Sequence, residues 1–219
     1  MRLPLALPFL CCALTAAADP QKISYARVFP NGGQIGLFIA AADGSDEPSL
    51  LGNRELDYDA VWSPDRTTLV FTSEREGSSD PFCVKPDGTG LERLADDPAY
   101  DDQAAFSPDG RQLVFVRSHN GGLAPRWTLD LATRRTQALT AGTPGGDFRP
   151  AWSPDGEQIA FTSSRMGFKD EITYTDSPQP YGEIFAMRLD GTNVQQLTDN
   201  QREDGTPAWQ PTGVAKTKP

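Results

Sequence analysis

Apolar and polar residues along this chain alternate in short bursts that repeat at a fixed distance. Leu69-Val70-Phe71, Leu113-Val114-Phe115 and Ile159-Ala160-Phe161 are the three clearest bursts. In each, a large residue stands at the first and third positions and a smaller apolar residue stands between them. Side chains alternate faces along a strand, so each burst predicts a strand buried on both sides, with a bulky face and a slim one. An aromatic residue precedes every burst by seven positions: Trp62, Phe106 and Trp152. Trp209 is a fourth such aromatic, and the spacings along the series are 44, 46 and 57 residues. A period in the forties is the length of one four-stranded propeller blade.

The residues between aromatic and burst form a turn signal. Trp62-Ser63-Pro64-Asp65, Phe106-Ser107-Pro108-Asp109-Gly110 and Trp152-Ser153-Pro154-Asp155-Gly156 share it, and Trp209-Gln210-Pro211-Thr212-Gly213 is a decayed copy. Proline presets φ, aspartate bonds back to its own backbone and glycine accepts positive φ, so the chain reverses into a hairpin. Arg66 stands where the other copies have glycine, which predicts a somewhat different turn there. Two more strands complete each unit, around Asp87-Gly88-Thr89, Asp190-Gly191-Thr192, Asp43-Gly44-Ser45 and the glycine-free Asp130-Leu131-Ala132-Thr133.

These patterns predict an all-β chain, a β-propeller of about four four-stranded antiparallel blades, forming a small ring or an incomplete arc. The units fall at about 22–57, 58–101, 102–147 and 148–213. Ile23 and Tyr25 align with Leu69 and Phe71, so the repeats open on the second strand of a blade. The first-strand segment 208–210 is then placed to close that first blade. Residues 214–219 read as a disordered tail.

The A-[WF]-S-P-D-G phrase, the F-T-S-x-R endings at Phe71–Arg75 and Phe161–Arg165, and the Asp190-Gly191-Thr192…Leu197-Thr198-Asp199 stretch resemble the repeats of TolB-like β-propellers. The likeness covers about residues 22–213. It implies a propeller used for protein contact in the cell envelope, as a module beside a peptidase domain, or in secreted proteins. The matching positions are structural, so the resemblance carries no functional residue over.

The first 18 residues carry one basic residue, Arg2, then an apolar run from Leu3 to Leu14 and the small residues Ala16-Ala17-Ala18. This is the layout of a secretory signal peptide, and the run is too short for a membrane span. The expected location is therefore the periplasm or the outside of the cell. Cys83 is the one cysteine beyond that segment, which leaves no internal disulfide and gives a thiol expected to pack as a small hydrophobe.

The chain carries 30 acidic against 20 basic residues, a net charge of −10. Such a surface repels nucleic acid and anionic lipid, leaving basic partners and cations. An aspartate recurs five positions before each aromatic, at Asp57, Asp101, Asp147 and Asp204, with Asp59, Asp96, Asp97, Asp102 and Glu203 nearby. Equal phase places the four on one rim, where they could bind Ca²⁺ or a basic peptide. Aspartate entering a strand also caps turns by accepting from backbone N–H groups, and both readings stand.

The fourth unit is longer than the others, with the excess near residues 166–181. Its Phe168, Lys169, Tyr174 and Tyr181 suit a contact loop, and a tolerated insertion fits equally well. His119 is the only histidine, and no nucleophile elbow, phosphate loop or zinc motif is present. The expected role is a non-catalytic scaffold for a protein partner, with self-association through open blade edges as a further route. The alternatives are a glycosidase or lyase with carboxylates at the channel mouth, and a propeller module lacking its peptidase partner domain.

Overall fold

The computed structural model describes residues 21–30, 33–52, 54–119, 125–140, 145–166, 181–200 and 204–210. The segment 1–18, the loop residues Phe168, Lys169 and Tyr174, and the tail 214–219 lie outside the described residues. Every described element is a strand. β1 (Lys22–Phe29) and β2 (Gln34–Ala41) form the first sheet. β3 (Asp57–Trp62), β4 (Leu69–Ser73), β5 (Asp80–Val84) and β6 (Glu92–Arg93) form the second. β7 (Tyr100–Phe106), β8 (Gln112–Ser118), β9 (Arg126–Asp130) and β10 (Thr136–Ala138) form the third. β11 (Asp147–Trp152), β12 (Gln158–Ser163), β13 (Tyr181–Arg188) and β14 (Gln195–Gln196) form the fourth, and β15 (Asp204–Gly205) pairs with β13. All strand pairs within the sheets are antiparallel meanders, as in propeller blades.

The two-faced bursts explain the stacking. Leu69 and Phe71 join Leu37, Ile39, Phe82 and Val84 in one core between the first and second sheets. Val70, on the opposite face of β4, joins Leu113, Phe115, Leu129 and Leu94 between the second and third. Val114 in turn joins Ile159, Phe161, Trp152, Phe185 and Met187 between the third and fourth. Each middle sheet thus gives its bulky face to the preceding neighbour and its slim face to the following one. Phe71, Phe115 and Phe161 are all fully buried, so truncating any of them to alanine costs about 3–5 kcal/mol.

The Ser-Pro-Asp turns are built alike in all three sheets. The hydroxyls of Ser63, Ser107 and Ser153 donate to Asp65, Asp109 and Asp155 at 2.6, 2.6 and 2.5 Å. Each serine Oγ also accepts from a backbone N–H five residues on, at Thr68, Gln112 and Gln158. The difference expected at Arg66 is absent: Arg66 takes φ 63°, close to Gly110 at 71° and Gly156 at 74°. The turn network holds an arginine in the left-handed region that glycine occupies elsewhere.

The expected four-stranded blade is found in the second, third and fourth sheets, the fourth with β15 added beside β13. In the first, β1 and β2 alone form a ladder among the described residues, and the Leu50-Leu51 strand reduces to a single bridge between Phe38 and Ser49. At the other end, residues 204–210 lie against the fourth sheet. The Trp209 indole N–H donates to the Ala151 carbonyl at 3.1 Å, just as the Trp152 indole donates to Ala105. No hydrogen bond or ion pair between described residues joins this segment to β1.

Candidate functional site

The first strands β3, β7 and β11 touch one another across successive sheets, so they form the inner wall of the arc. Each carries a bulge at the same place: the register shifts between Tyr58 and Val61, between Asp102 and Ala105, and between Phe148 and Ala151. The residue two positions after each recurring aspartate therefore turns left-handed, with φ 52° at Asp59, 56° at Gln103, 48° at Arg149 and 54° at Thr206. None of the four is glycine, and Thr206 is β-branched, so this backbone is strained at every repeat. Bulges of this kind re-aim side chains beside binding sites.

The four strained residues meet in one cleft of about 360 Å³, completed by Ala60, Val61, Ala104, Ala105, Pro150 and Pro207. Gln103 Oε1 accepts from the Arg149 backbone N–H at 2.7 Å, and Arg149 Nη1 lies 3.2 Å from Asp59 Oδ1. Asp59 and Arg149 belong to the second and fourth sheets, so this ion pair spans the inside of the arc. Beside Gln103, burial raises the half-buried Asp102 carboxyl to about 7, and the Asp59 charge adds to the shift while Arg149 opposes it. Burial likewise pushes the Tyr58 phenol up to about 12, against the effect of its 3.0 Å hydrogen bond with Ser79.

Asp57, Asp101 and Asp147 occupy equivalent positions, but they lie beneath the rim and are almost completely buried. Each faces an arginine from the end of the next strand. Arg75 Nη2 reaches both Asp57 oxygens at 2.8 and 3.0 Å, and Arg165 Nη2 reaches those of Asp147 at 3.0 and 3.2 Å. Arg117 grips Asp101 through Nε and Nη2. Burial nonetheless raises the Asp101 carboxyl above its ordinary value. The guanidinium of each arginine also covers two rings: Phe71 and Phe82, Phe115 and Trp127, Phe161 and Phe185. This accounts for the F-T-S-x-R ending. Ser73 and Ser163 hold the arginine Nε at 2.8 Å, and the far end of the guanidinium meets the buried carboxylate.

The carboxylates expected to face a cation are thus neutralised by the chain's own arginines. Asp204 differs: it is half-buried and accepts from Asn200 at 2.7 Å. Among the described residues no group of three or more His, Cys, Asp or Glu side chains converges as for a metal ion. Tyr181, from the expected contact loop, is the first residue of β13. His119 is exposed, with Nε2 3.6 Å from Asp97. Of the cleft residues, sequence reasoning named only Asp59. Gln103, Arg149 and Thr206 share its phase and nothing else, and phase is the signal that finds them.

A second arginine adds to the Asp147 pair. Arg126 is fully buried, its guanidinium 3.2 Å from the centre of the Phe161 ring and its Nη2 2.8 Å from Asp147 Oδ2. That approach is off the donor axis, and the guanidinium nitrogens have no aligned acceptor among the described residues. Burial lowers the Arg126 guanidinium to about 9, with Asp147 opposing the shift.

Comparison with known proteins follows the same lines. The family model described as the TolB beta propeller domain matches residues 12–142. The Tol-Pal system protein TolB of Syntrophus aciditrophicus (strain SB) is 39% identical over 57 residues, which is 26% of this chain and 13% of that protein. The crystal structure of TolB from Acinetobacter baumannii overlays with a TM-score of 0.67 at 24% identity, over 81% of this chain and 41% of that one. An oligogalacturonate lyase in complex with manganese overlays with a TM-score of 0.55 at 15% identity, over 75% of this chain and 42% of that one. At these identities the structural likeness shows the fold alone. The chain spans less than half the length of each of these relatives.

Proposed function

Because the chain belongs to the TolB beta propeller family, we propose that it is a non-catalytic binding scaffold that takes an extended segment of a protein partner in the cleft along its inner wall. One observation carries this reading: four successive repeats hold Asp59, Gln103, Arg149 and Thr206 in strained backbone at one shared position. The framework around them is repetitive, and these four side chains are chemically distinct. A cleft lined by an acid, an amide, a base and a hydroxyl, floored by alanine and proline, offers oriented polar contacts over an apolar base. The leader-like pattern of residues 1–18 and the TolB relative support a periplasmic or extracellular setting.

The test selects extended peptides from a displayed library against the full chain and measures the best binder by fluorescence anisotropy. Arg149→Glu and Gln103→Arg should each weaken it at least tenfold with an unchanged far-ultraviolet spectrum. Binders indifferent to both substitutions would place the contact elsewhere.

A second reading is favoured by Asp102, whose carboxyl titrates near 7 beside Arg149 on a fold shared with a sugar lyase. A carboxyl poised near neutrality suits general acid–base chemistry. Cleavage of oligogalacturonate by the purified chain, abolished by Asp102→Asn, would establish it.

A further inference from the structure

The second-strand position is fully buried in three sheets and open in the first. Leu69, Leu113 and Ile159 are each 0% exposed, whereas their counterpart Ile23 on β1 is 46% exposed and Val28 is 67% exposed. In the other sheets a first strand covers that position, through the pairs Trp62 with Leu69, Phe106 with Leu113 and Trp152 with Ile159. Among the described residues β1 pairs with β2 alone.

A first strand suited to this edge stands at the opposite end of the arc. Residues 204–210 carry the first-strand phase, with Asp204 at the place of Asp57 and Trp209 at that of Trp62. They dock as the start of a further blade: β15 adjoins β13, and the Trp209 indole reaches Ala151. Residues 206–210 join no ladder.

A third, independent observation points to the same place. In the repeat, each tryptophan indole donates to the carbonyl just before the aromatic of the preceding first strand, as Trp152 does to Ala105 and Trp209 to Ala151. Trp62 Nε1 is buried and has no hydrogen-bond partner among the described residues. By the repeat rule its acceptor is the carbonyl before the aromatic of a first strand flanking β1, which the described part of the first sheet does not contain. Ala208, immediately before Trp209, supplies it. A buried donor without a partner costs about 1–3 kcal/mol, so the structure favours whatever provides that carbonyl.

We propose that the 204–210 strand of one copy completes the first sheet of a second copy, by adding to the free edge of its β1. The register follows from the other sheets: Asp204 opposite Arg27, Gly205 opposite Ala26, Ala208 opposite Ser24 and Trp209 opposite Ile23. Trp209 then covers the exposed Ile23, and the Ala208 carbonyl meets the neighbour's Trp62 indole. The contact is head-to-tail, and two copies that exchange strands reciprocally satisfy all four ends. Within one copy the 204–210 segment stays on the fourth sheet, which is why a second copy is the occupant. This pairing is independent of what the inner cleft binds.

Cross-linking tests it. Two full-length variants, each with Cys11→Ser, Cys12→Ser and Cys83→Ser, carry either Ser24→Cys or Ala208→Cys. Residues paired in adjacent strands lie within disulfide reach. Oxidised together, the two variants should give a linked pair of chains that neither gives alone. A mixture that stays unlinked overturns the proposal, and so does a doubly substituted chain that closes on itself at single-chain mass. Ser24→Pro spoils the β1 edge and should lower the light-scattering mass from two chains to one with unchanged circular dichroism. An unchanged mass also overturns it.

Discussion

Arg117 holds Asp101 by two parallel hydrogen bonds, Nε to Oδ1 at 2.7 Å and Nη2 to Oδ2 at 2.6 Å, with both side chains nearly sealed from water. Arg75 with Asp57 and Arg165 with Asp147 repeat the partnership through Nη2 alone, their Nε atoms being held by Ser73 and Ser163. A buried carboxylate stripped of its arginine has nothing to replace it. Arg117→Ala should therefore destabilise the chain by about 3–5 kcal/mol in urea unfolding, and adding Asp101→Ala should recover part of that loss.

Arg126 is the contrast. Asp147 keeps Arg165 when Arg126 is removed, and the Arg126 nitrogens have no aligned acceptor to lose among the described residues. Arg126→Met, which keeps most of the packing on Phe161, should cost less than about 1 kcal/mol by the same measurement, or stabilise. A loss as large as that of Arg117→Ala would show that the close approach to Asp147 is a working hydrogen bond.

Asp102 sets a pH dependence. Its folded carboxyl, near 7, lies above the ordinary aspartate value of 3.8. Between these values the folded chain binds the extra proton, so the contribution of this carboxyl to stability is fully present below about pH 4 and is lost as pH rises through 7. Asp59, Asp101 and Arg149 are the charged neighbours in this balance. Asp102→Asn should flatten the decline and raise stability at pH 8 by about 1–2 kcal/mol, seen as a melting curve that no longer shifts between pH 5 and 8.

Arg66 occupies a glycine conformation. Arg66→Gly should stabilise by about 0.5–1 kcal/mol, because relief of the left-handed strain exceeds the extra chain entropy of glycine. Gly110→Ala, in the equivalent turn, should destabilise by a similar amount.

Calcium should leave the melting midpoint of the metal-stripped chain unchanged. The oxygens of Asp57, Asp101 and Asp147 already face guanidinium groups, and a cation would have to displace them. A rise in midpoint with added Ca²⁺ would point to Asp204, which holds an asparagine instead.

Sequence phase made the framework legible and left the cleft obscure, for a physical reason. Leu69, Phe71 and their counterparts must be large because each fills the same space between sheets, and Ser63, Ser107 and Ser153 must be serine because each closes the same turn. Residue identity therefore repeats wherever packing repeats. Position 59 and its counterparts face open space, so aspartate, glutamine, arginine and threonine are all admissible there. The left-handed bulge that presents them leaves no mark on residue type, since none is glycine. The Asp–Arg pairs lay within reach: Arg75, Arg117 and Arg165 follow their aspartates by 18, 16 and 18 residues, and the F-T-S-x-R ending contains two of them. Reading the aspartates together with the arginines would have sent the carboxylates inward.

The two-faced middle sheets fix how this protein comes apart. Among the described residues every apolar cluster is shared between adjacent sheets, so a single repeat excised from the chain would lose part of the packing of each core it borders. Cohesion is then a sum over neighbours along a line, and the weakest link is a terminal one. In a single copy the first sheet, with two strands among the described residues and the outer edge of β1 open, should exchange its amide hydrogens well before β8 and β12, with loss of order travelling inward from that end, and strand addition by a second copy should slow that exchange.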